Sequence, residues 1–199
     1  ADRPWITLTY AQSLDGKIAG EHGQQLVLSG DASMIMTHRL RTVHDGILVG
    51  IGTVLQDDPR LLARHLRPHE MATASQPQPI ILDTRLNIPL TARLLDRQRH
   101  SAGECLAPWI IVGADLVDPV KCQQVEACGA RIIRVPRLPE TAGQVDLAAA
   151  MHQLHQLGIA RLMVEGGARV IQSFLTMPAA MVDLLIVTVA PVYVGEKGI

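Results

Sequence analysis

Aromatic side chains make up only 3% of the 199 residues, with a single phenylalanine among them. A stacking platform for single-stranded nucleic acid needs several exposed rings, so this composition argues against one. The core has to be packed from Leu, Ile, Val, Ala and Met. Cysteine is also scarce: Cys105, Cys122 and Cys128 are an odd number and include no C-x-x-C pair. That argues against a disulfide framework and for a reducing compartment. Neither sign of charge dominates, with 18 basic against 19 acidic side chains and a formal net charge of −1. The broad positive field of a general DNA binder is therefore missing, although one local anion pocket stays compatible with it. No apolar run approaches the ~20 residues of a membrane span, and Ala1-Asp2-Arg3-Pro4 is not a secretory leader. The chain reads as soluble and cytoplasmic. Its 48% hydrophobic and 19% charged residues point to a genuine core, and its length suits one α/β domain.

Metal and nucleophile signatures are absent too. His65 and His69 lie four apart, but Pro68 argues against a helix that would align them, and His152 and His155 fall in a predicted surface helix. No metal site is expected. There is no G-x-G-x-x-G fingerprint, no G-x-x-x-x-G-K-[ST] loop, no G-x-S-x-G elbow and no zinc-deaminase pattern.

What the chain does have is a series of short, continuous apolar runs. Trp5 to Tyr10, Gly46 to Val49, Pro79 to Leu82, Trp109 to Val112, Arg131 to Val135, Leu162 to Val164 and Leu184 to Val189 read as strands. Continuous rather than alternating runs are expected of strands covered on both faces. Helices are predicted between them at Asp31 to Thr42, with Asp31 as cap and Met34, Ile35, His38 and Arg41 at helical spacing. Further helices are predicted at Pro119 to Cys128, Asp146 to Leu157 and Ala168 to Thr176, the first two stopped by glycine and the last ended before Pro178. Glu70 to Gln78 reads as a loop inside one domain. Strand–helix alternation of this kind builds an α/β sheet.

Two strands leave through glycines, at Gly50-Ile51-Gly52-Thr53 and at Glu165-Gly166-Gly167-Ala168. In open α/β sheets ligands bind beyond the carboxyl ends of the strands. A glycine exit running into a helix lets amides approach a phosphate, and it equally makes a tight turn with no ligand. Glu165 sits poorly for an anion by itself and well for a polar or cationic group. Thr53 and Asp57 share a face if Ile51 onward is helical up to Pro59. Asp15-Gly16 is a turn signal, with Lys17 next to it either solvated or near a phosphate. Among Arg39, Arg41, Arg60, Arg64 and Arg67, Arg64 stands out just past Pro59.

In order along the chain come T-x-A-Q-S-L-D-G-K-I-A (Thr9 to Ala19), L-S-G (Leu28 to Gly30), H-R-L-R-T-V-H-D-G-I-L-V-G (His38 to Gly50), G-T-V-L-Q-D-D-P-R-L (Gly52 to Leu61), I-L-D (Ile81 to Asp83) and V-E-G-G-A (Val164 to Ala168). As a set they resemble the riboflavin-biosynthesis pyrimidine reductases, both the stand-alone enzymes and the reductase half of the bifunctional deaminase-reductase. The resemblance spans nearly the whole chain. It implies a single reductase domain over 1–199 with a dihydrofolate-reductase-like fold, a mixed, mostly parallel sheet with helices on both faces. It further implies NADPH as cofactor, a ribosylamino-pyrimidine 5′-phosphate as substrate, whose sugar is reduced to a ribityl chain, and a homodimer as the assembly. Cofactor contacts carry over to Ala11, Gly50, Thr53, Asp57, Gly166, Gly167, Ala168 and Val170. Substrate contacts carry over to Ser29, Arg41, Leu61 and Arg64. Lys17 and Glu165 become the catalytic pair, orienting the ring-opened sugar and assisting proton delivery. Two departures are visible: Leu26 stands where the bifunctional proteins often have Trp, and the chain ends at Ile199 where the family usually adds a strand or two.

Two rival readings share the fold. A pterin or dihydrofolate reductase needs an acidic residue in the helix after the first loop, for which Asp31 is the only candidate. The other is a non-catalytic nucleotide-binding or oligomer-scaffold domain that kept the fold and lost the activity; retention of Lys17, Glu165, Thr53 and Asp57 weighs against it.

Overall fold

The computed structural model describes residues 2–24, 26, 28, 30–138, 143–177 and 181–199. Ser29 and Pro178 lie outside the described residues. Seven strands form one sheet: β1 (Trp5–Gln12), β2 (Gly46–Gly50), β3 (Gln78–Leu82), β4 (Trp109–Gly113), β5 (Arg131–Val135), β6 (Arg161–Glu165) and β7 (Leu184–Val189). Their order is β5-β4-β3-β2-β6-β1-β7. Every pairing among these strands is parallel. Among the described residues, the expected antiparallel component is confined to an isolated bridge between Arg137 and Val145. Helices α1 (Asp31–Thr42), α2 (Ile51–Asp57), α3 (Pro68–Met71), α4 (Arg97–Ser101), α5 (Pro119–Ala127), α6 (Leu147–Gln156) and α7 (Ala168–Leu175) fill the connections. None is long and apolar enough to cross a membrane.

The continuous apolar runs do what their pattern requires. Leu48, Ile80 and Ile111 join a core layer with Met151 and Leu154 of α6 and Val170, Ile171 and Phe174 of α7. Their immediate neighbours Ile47, Val49, Ile81, Ile110 and Val112 point the other way, into a layer with Val54 of α2 and Cys122 and Val125 of α5. Successive side chains on a strand face opposite sides, so a sheet covered on both faces has no polar position to spare.

β1 departs from this. Ile6 and Leu8 are buried in the first layer, but Thr7 and Thr9 face the other side and are also buried. His44 satisfies Thr7: its Nδ1–H donates to the Leu40 carbonyl at 2.6 Å, and its Nε2 meets the Thr7 hydroxyl at 2.9 Å. That polar lock seats the end of α1 on the sheet. Within α1 only His38 is buried, while Met34 and Ile35 stay 40% and 36% exposed.

Several local expectations are revised. Gly30, not Asp31, is the N-cap of α1, because Asp31 already has helical geometry; its charge still lies in the first turn, where the helix dipole favours it. Asp118 and Asp146 do cap α5 and α6, accepting from Val120 N–H and Ala149 N–H. The predicted loop at Glu70 overlaps α3, in which Pro68 takes an N-terminal position that costs no hydrogen bond. Gly50 is required by contact: a Cβ there would fall 2.6 Å from Val170 Cγ2. Gly50→Ala is expected to cost about 1–3 kcal/mol by overpacking and to be largely rescued by Val170→Ala, as measured by urea unfolding. An unchanged midpoint in the single variant would contradict this contact.

Candidate active site

The carboxyl ends of β1, β6, β2 and β3 lie side by side, because each is a neighbour of the next in the sheet. Register places Thr9 of β1 beside Glu165, the last residue of β6, and Gly50 beside Leu82 of β3. Stretches far apart in sequence therefore converge on one edge of the sheet.

Glu165 is held by Arg41 from α1. Arg41 Nε donates to Oε1 at 3.0 Å and Nη2 to Oε2 at 2.7 Å, while Nη1 donates to the Leu62 carbonyl at 2.8 Å. Both side chains of the pair are nearly buried, 13% and 15% exposed. A two-pronged, partly desolvated pair of this kind fixes the geometry of both side chains. The cationic group that Glu165 meets is thus the protein's own.

The segment after α2 is shaped by two non-glycine residues in the left-handed region, Asp58 (φ 40°) and Leu61 (φ 53°). Leu61 is buried, so the site receives backbone there, not side chain. Asp58 accepts from the Arg93 amide and pairs with its guanidinium at 3.2 Å. Ala63 exchanges two hydrogen bonds with the Gln76 side chain. Arg64 donates its backbone N–H to His38 Nδ1 at 3.1 Å. The Arg64 guanidinium makes no ion pair among the described residues. Burial, followed by the charges of Arg60, Arg41 and Arg93, lowers its pKa. A guanidinium influenced by three others, with no carboxylate partner of its own among the described residues, favours an anion beside it.

Beyond β1, Ser13 and Asp15 build a small knot. The Ser13 hydroxyl donates to Asp15 Oδ1 at 2.6 Å and accepts the Lys17 N–H at 2.9 Å. Asp15 also accepts from Val194 N–H and Gly195 N–H. The Ser13 hydroxyl and then these amides hold its carboxyl at about 2. Lys17 Nζ donates to the Gly198 carbonyl at 3.0 Å. The expected catalytic lysine is therefore tethered to the C-terminal segment, and Glu165 is tethered to Arg41.

The starts of α2 and α7 stand together, since β2 and β6 are paired. Gly50 and Gly167 are their N-caps, and neither helix receives a side-chain cap. Their first amides are left for an external acceptor, the arrangement that suits phosphates. The two exits are latched to each other: Gly167 N–H donates to Thr53 Oγ1 at 3.2 Å. Gly166, at φ 97°, passes so close that a Cβ would lie 2.8 Å from that oxygen, whereas at Gly52 a Cβ would meet nothing within 4 Å. These residues fit the pyrophosphate of a dinucleotide.

Of the expected cofactor residues, Gly50, Thr53, Gly166, Gly167 and Ala168 all line this junction. Thr53 and Asp57 share α2 as their spacing suggested, and desolvation raises the Asp57 carboxyl. Val170 is buried with its side chain against Gly50, so it supports the cradle from behind. Ala11 sits on β1 opposite Thr188. His38 and Asp83 were not singled out from the sequence. Asp83, fully buried just past β3, accepts from Ile88 N–H at 2.9 Å, and burial pushes its pKa up. In the sequence it stands out only as the last residue of the I-L-D stretch, a carboxylate at the end of an apolar strand.

A parallel sheet with a dinucleotide-type cradle at its carboxyl edge and a clasped carboxylate beside it defines the class: a nucleotide-dependent α/β enzyme domain. The particular family follows from comparison. Residues 4–199 match the model of the RibD C-terminal domain, and the chain belongs to that family. It is 38% identical, over all of its length and 79% of the relative, to the 2,5-diamino-6-ribosylamino-4(3H)-pyrimidinone 5′-phosphate reductase of Debaryomyces hansenii. Identity to the reductase of the same name from Archaeoglobus fulgidus is 33%, over 98% of this chain and 84% of that one. Among solved structures, the Saccharomyces riboflavin biosynthesis reductase Rib7 superposes with a TM-score of 0.76 at 29% identity, covering 100% of this chain and 78% of that one. Acinetobacter baumannii RibD superposes at 0.80 with 25% identity, over 100% of this chain and 49% of that one. The expected dihydrofolate-reductase-like fold is the fold found.

Proposed function

We propose that the protein is a reductase of riboflavin biosynthesis, acting as one domain with NADPH on a ribosylamino-pyrimidine 5′-phosphate and delivering the ribitylamino product. The observation that carries this reading is the junction of two uncapped helix starts at the ends of adjacent strands, with Glu165 immediately before it. Family membership and relatives named as this reductase support it.

A bound nicotinamide supplies the hydride; the chain supplies position and charge. Arg41 fixes the position and direction of Glu165, so that its carboxylate can orient the opened sugar at the carbon to be reduced. Lys17, on the loop after the neighbouring strand, is the candidate to deliver the proton that the reduced sugar must take up. Arg64 grips the 5′-phosphate. Arg41 and Lys17 already have partners within the chain, so the phosphate falls to Arg64.

The edge strand β7 supports the homodimer. Leu184, Leu185 and Val189 are 44%, 45% and 52% exposed there, and a long apolar edge is an association surface. Light scattering is expected to give twice the 21.6 kDa chain mass; a monomer at assay concentration would remove the dimer. All three thiols are free, which fits a reducing, cytoplasmic setting.

Turnover is read from oxidation of reduced nicotinamide, with dihydrofolate as the control substrate. Glu165→Gln and Lys17→Ala, each checked for folding, are expected to lose at least ~10²-fold in kcat; parental turnover in either removes that residue from the chemistry. NADPH is expected to outperform NADH in kcat/KM. Cofactor binding with no turnover of the pyrimidine substrate would overturn the reductase reading.

A further inference from the structure

We propose that His38 is a positioning residue for substrate binding: a neutral imidazole whose bare Nδ1 holds the Arg64 backbone and so aims the Arg64 guanidinium at the substrate phosphate. This rests on the assignment of Arg64 as the phosphate grip.

The loop that carries Arg64 does not hold its shape by local preference. Asp58 and Leu61 both adopt left-handed backbone, a strained conformation for a non-glycine residue. Such a conformation persists only where the surroundings over-determine it. Leu62 is held by Arg41, Ala63 by Gln76 and Arg64 by His38. The last of these clamps acts at the residue whose guanidinium makes no ion pair among the described residues. A backbone N–H can only donate, so the nitrogen that receives it must carry no proton. The site requires a neutral imidazole of one tautomer.

The surroundings enforce that state. His38 is 2% exposed, and the groups facing it are Arg41 from its own helix and Arg64 and His65 from the loop. Burial first, then those three charges, push its pKa down to about 4, against a smaller opposing effect from a Leu62 backbone hydrogen bond. His65 packs edge-on against the ring, with centroids 4.7 Å apart and planes at 67°, which fixes its plane. His38 and Arg41 are three apart on one face of α1. One helix therefore sets both the phosphate-binding loop and the direction of Glu165.

The sign of the pH dependence follows. An unfolded His38 takes up its proton near pH ~6.5, whereas the folded one resists to about 4. The stability gained is complete above the upper value and is lost as pH falls toward the lower one.

The test uses His38→Leu, His38→Asn and Arg64→Ala, assayed with the diaminopyrimidinone phosphate substrate and NADPH at about neutral pH. Asn places Oδ1 near the position of Nδ1 and restores an acceptor; Leu does not. His38→Leu is expected to raise KM for the pyrimidine at least about tenfold, the equivalent of one lost interaction of ~1.4 kcal/mol, with kcat within about threefold and NADPH affinity unchanged. His38→Asn is expected to stay within about threefold of the parental KM. Parental KM in His38→Leu, equal defects in the Leu and Asn variants, or a fall confined to kcat would each overturn the proposal. Should His38→Leu fail to fold, the Asn variant decides: its Tm is expected to fall less steeply than the parent's between about pH 7 and 5, and equal slopes overturn the proposal. Arg64→Ala separates the two layers. Parental KM there overturns the phosphate assignment and the His38 role with it. Weakened binding in Arg64→Ala beside an unaffected His38→Leu overturns only the role of His38.

Discussion

One guanidinium organises the site. Arg41 reaches from α1 to a carboxylate 124 positions along the chain and to a backbone carbonyl 21 positions along. With that reach it joins the end of β6 to the loop after α2. Glu165 needs this contact, because a carboxylate at the end of a buried strand is costly unless paired. Arg41 gains from it equally. Removing either partner would leave a nearly buried charge without compensation, a situation worth several kcal/mol.

The rest of the site is built outward from that clasp. Gly166 and Gly167 follow Glu165 directly, and Thr53 ties them to the exit of β2. A single pair of neighbouring strands thus presents two helix starts and, directly before one of them, a directed carboxylate. On the other side, the Ser13–Asp15 knot brings Lys17 and the C-terminal segment to the end of β1. The arginine loop closes the remaining quarter. Glu165, the two glycine exits and the Ser13–Asp15 knot lie at or just beyond strand ends on the same edge of one sheet, and Arg41 reaches that edge from α1.

Much of this was legible in the sequence. All seven apolar runs became strands; for the inner ones, burial on both faces leaves its signature in composition at nearly every position, whereas β7 is an apolar edge left partly exposed. The glycine exits were legible for the same reason, since only glycine tolerates Val170 against Gly50 or Thr53 against Gly166. What escaped was pairwise and long-range. Nothing local says that Glu165 will meet Arg41, or that Lys17 will be tethered at Gly198; these follow from which strands become neighbours. His38 was hidden differently. It lies at helical spacing with Met34 and Ile35 and reads as part of an ordinary buried stripe, yet those two remain partly exposed and the histidine alone goes in. Asp31 was misplaced by one residue, because capping depends on where helical geometry begins and not on residue type alone.

The seating of a dinucleotide on the paired helix starts can be observed without turnover. An amide-resolved NMR titration with NADPH is expected to shift Gly52, Thr53, Gly167 and Ala168 together, with a single dissociation constant, while the amides of β5 at the far edge stay put. Saturable binding that leaves those four amides unmoved, or no binding at all, would contradict the cradle and the reading built on it.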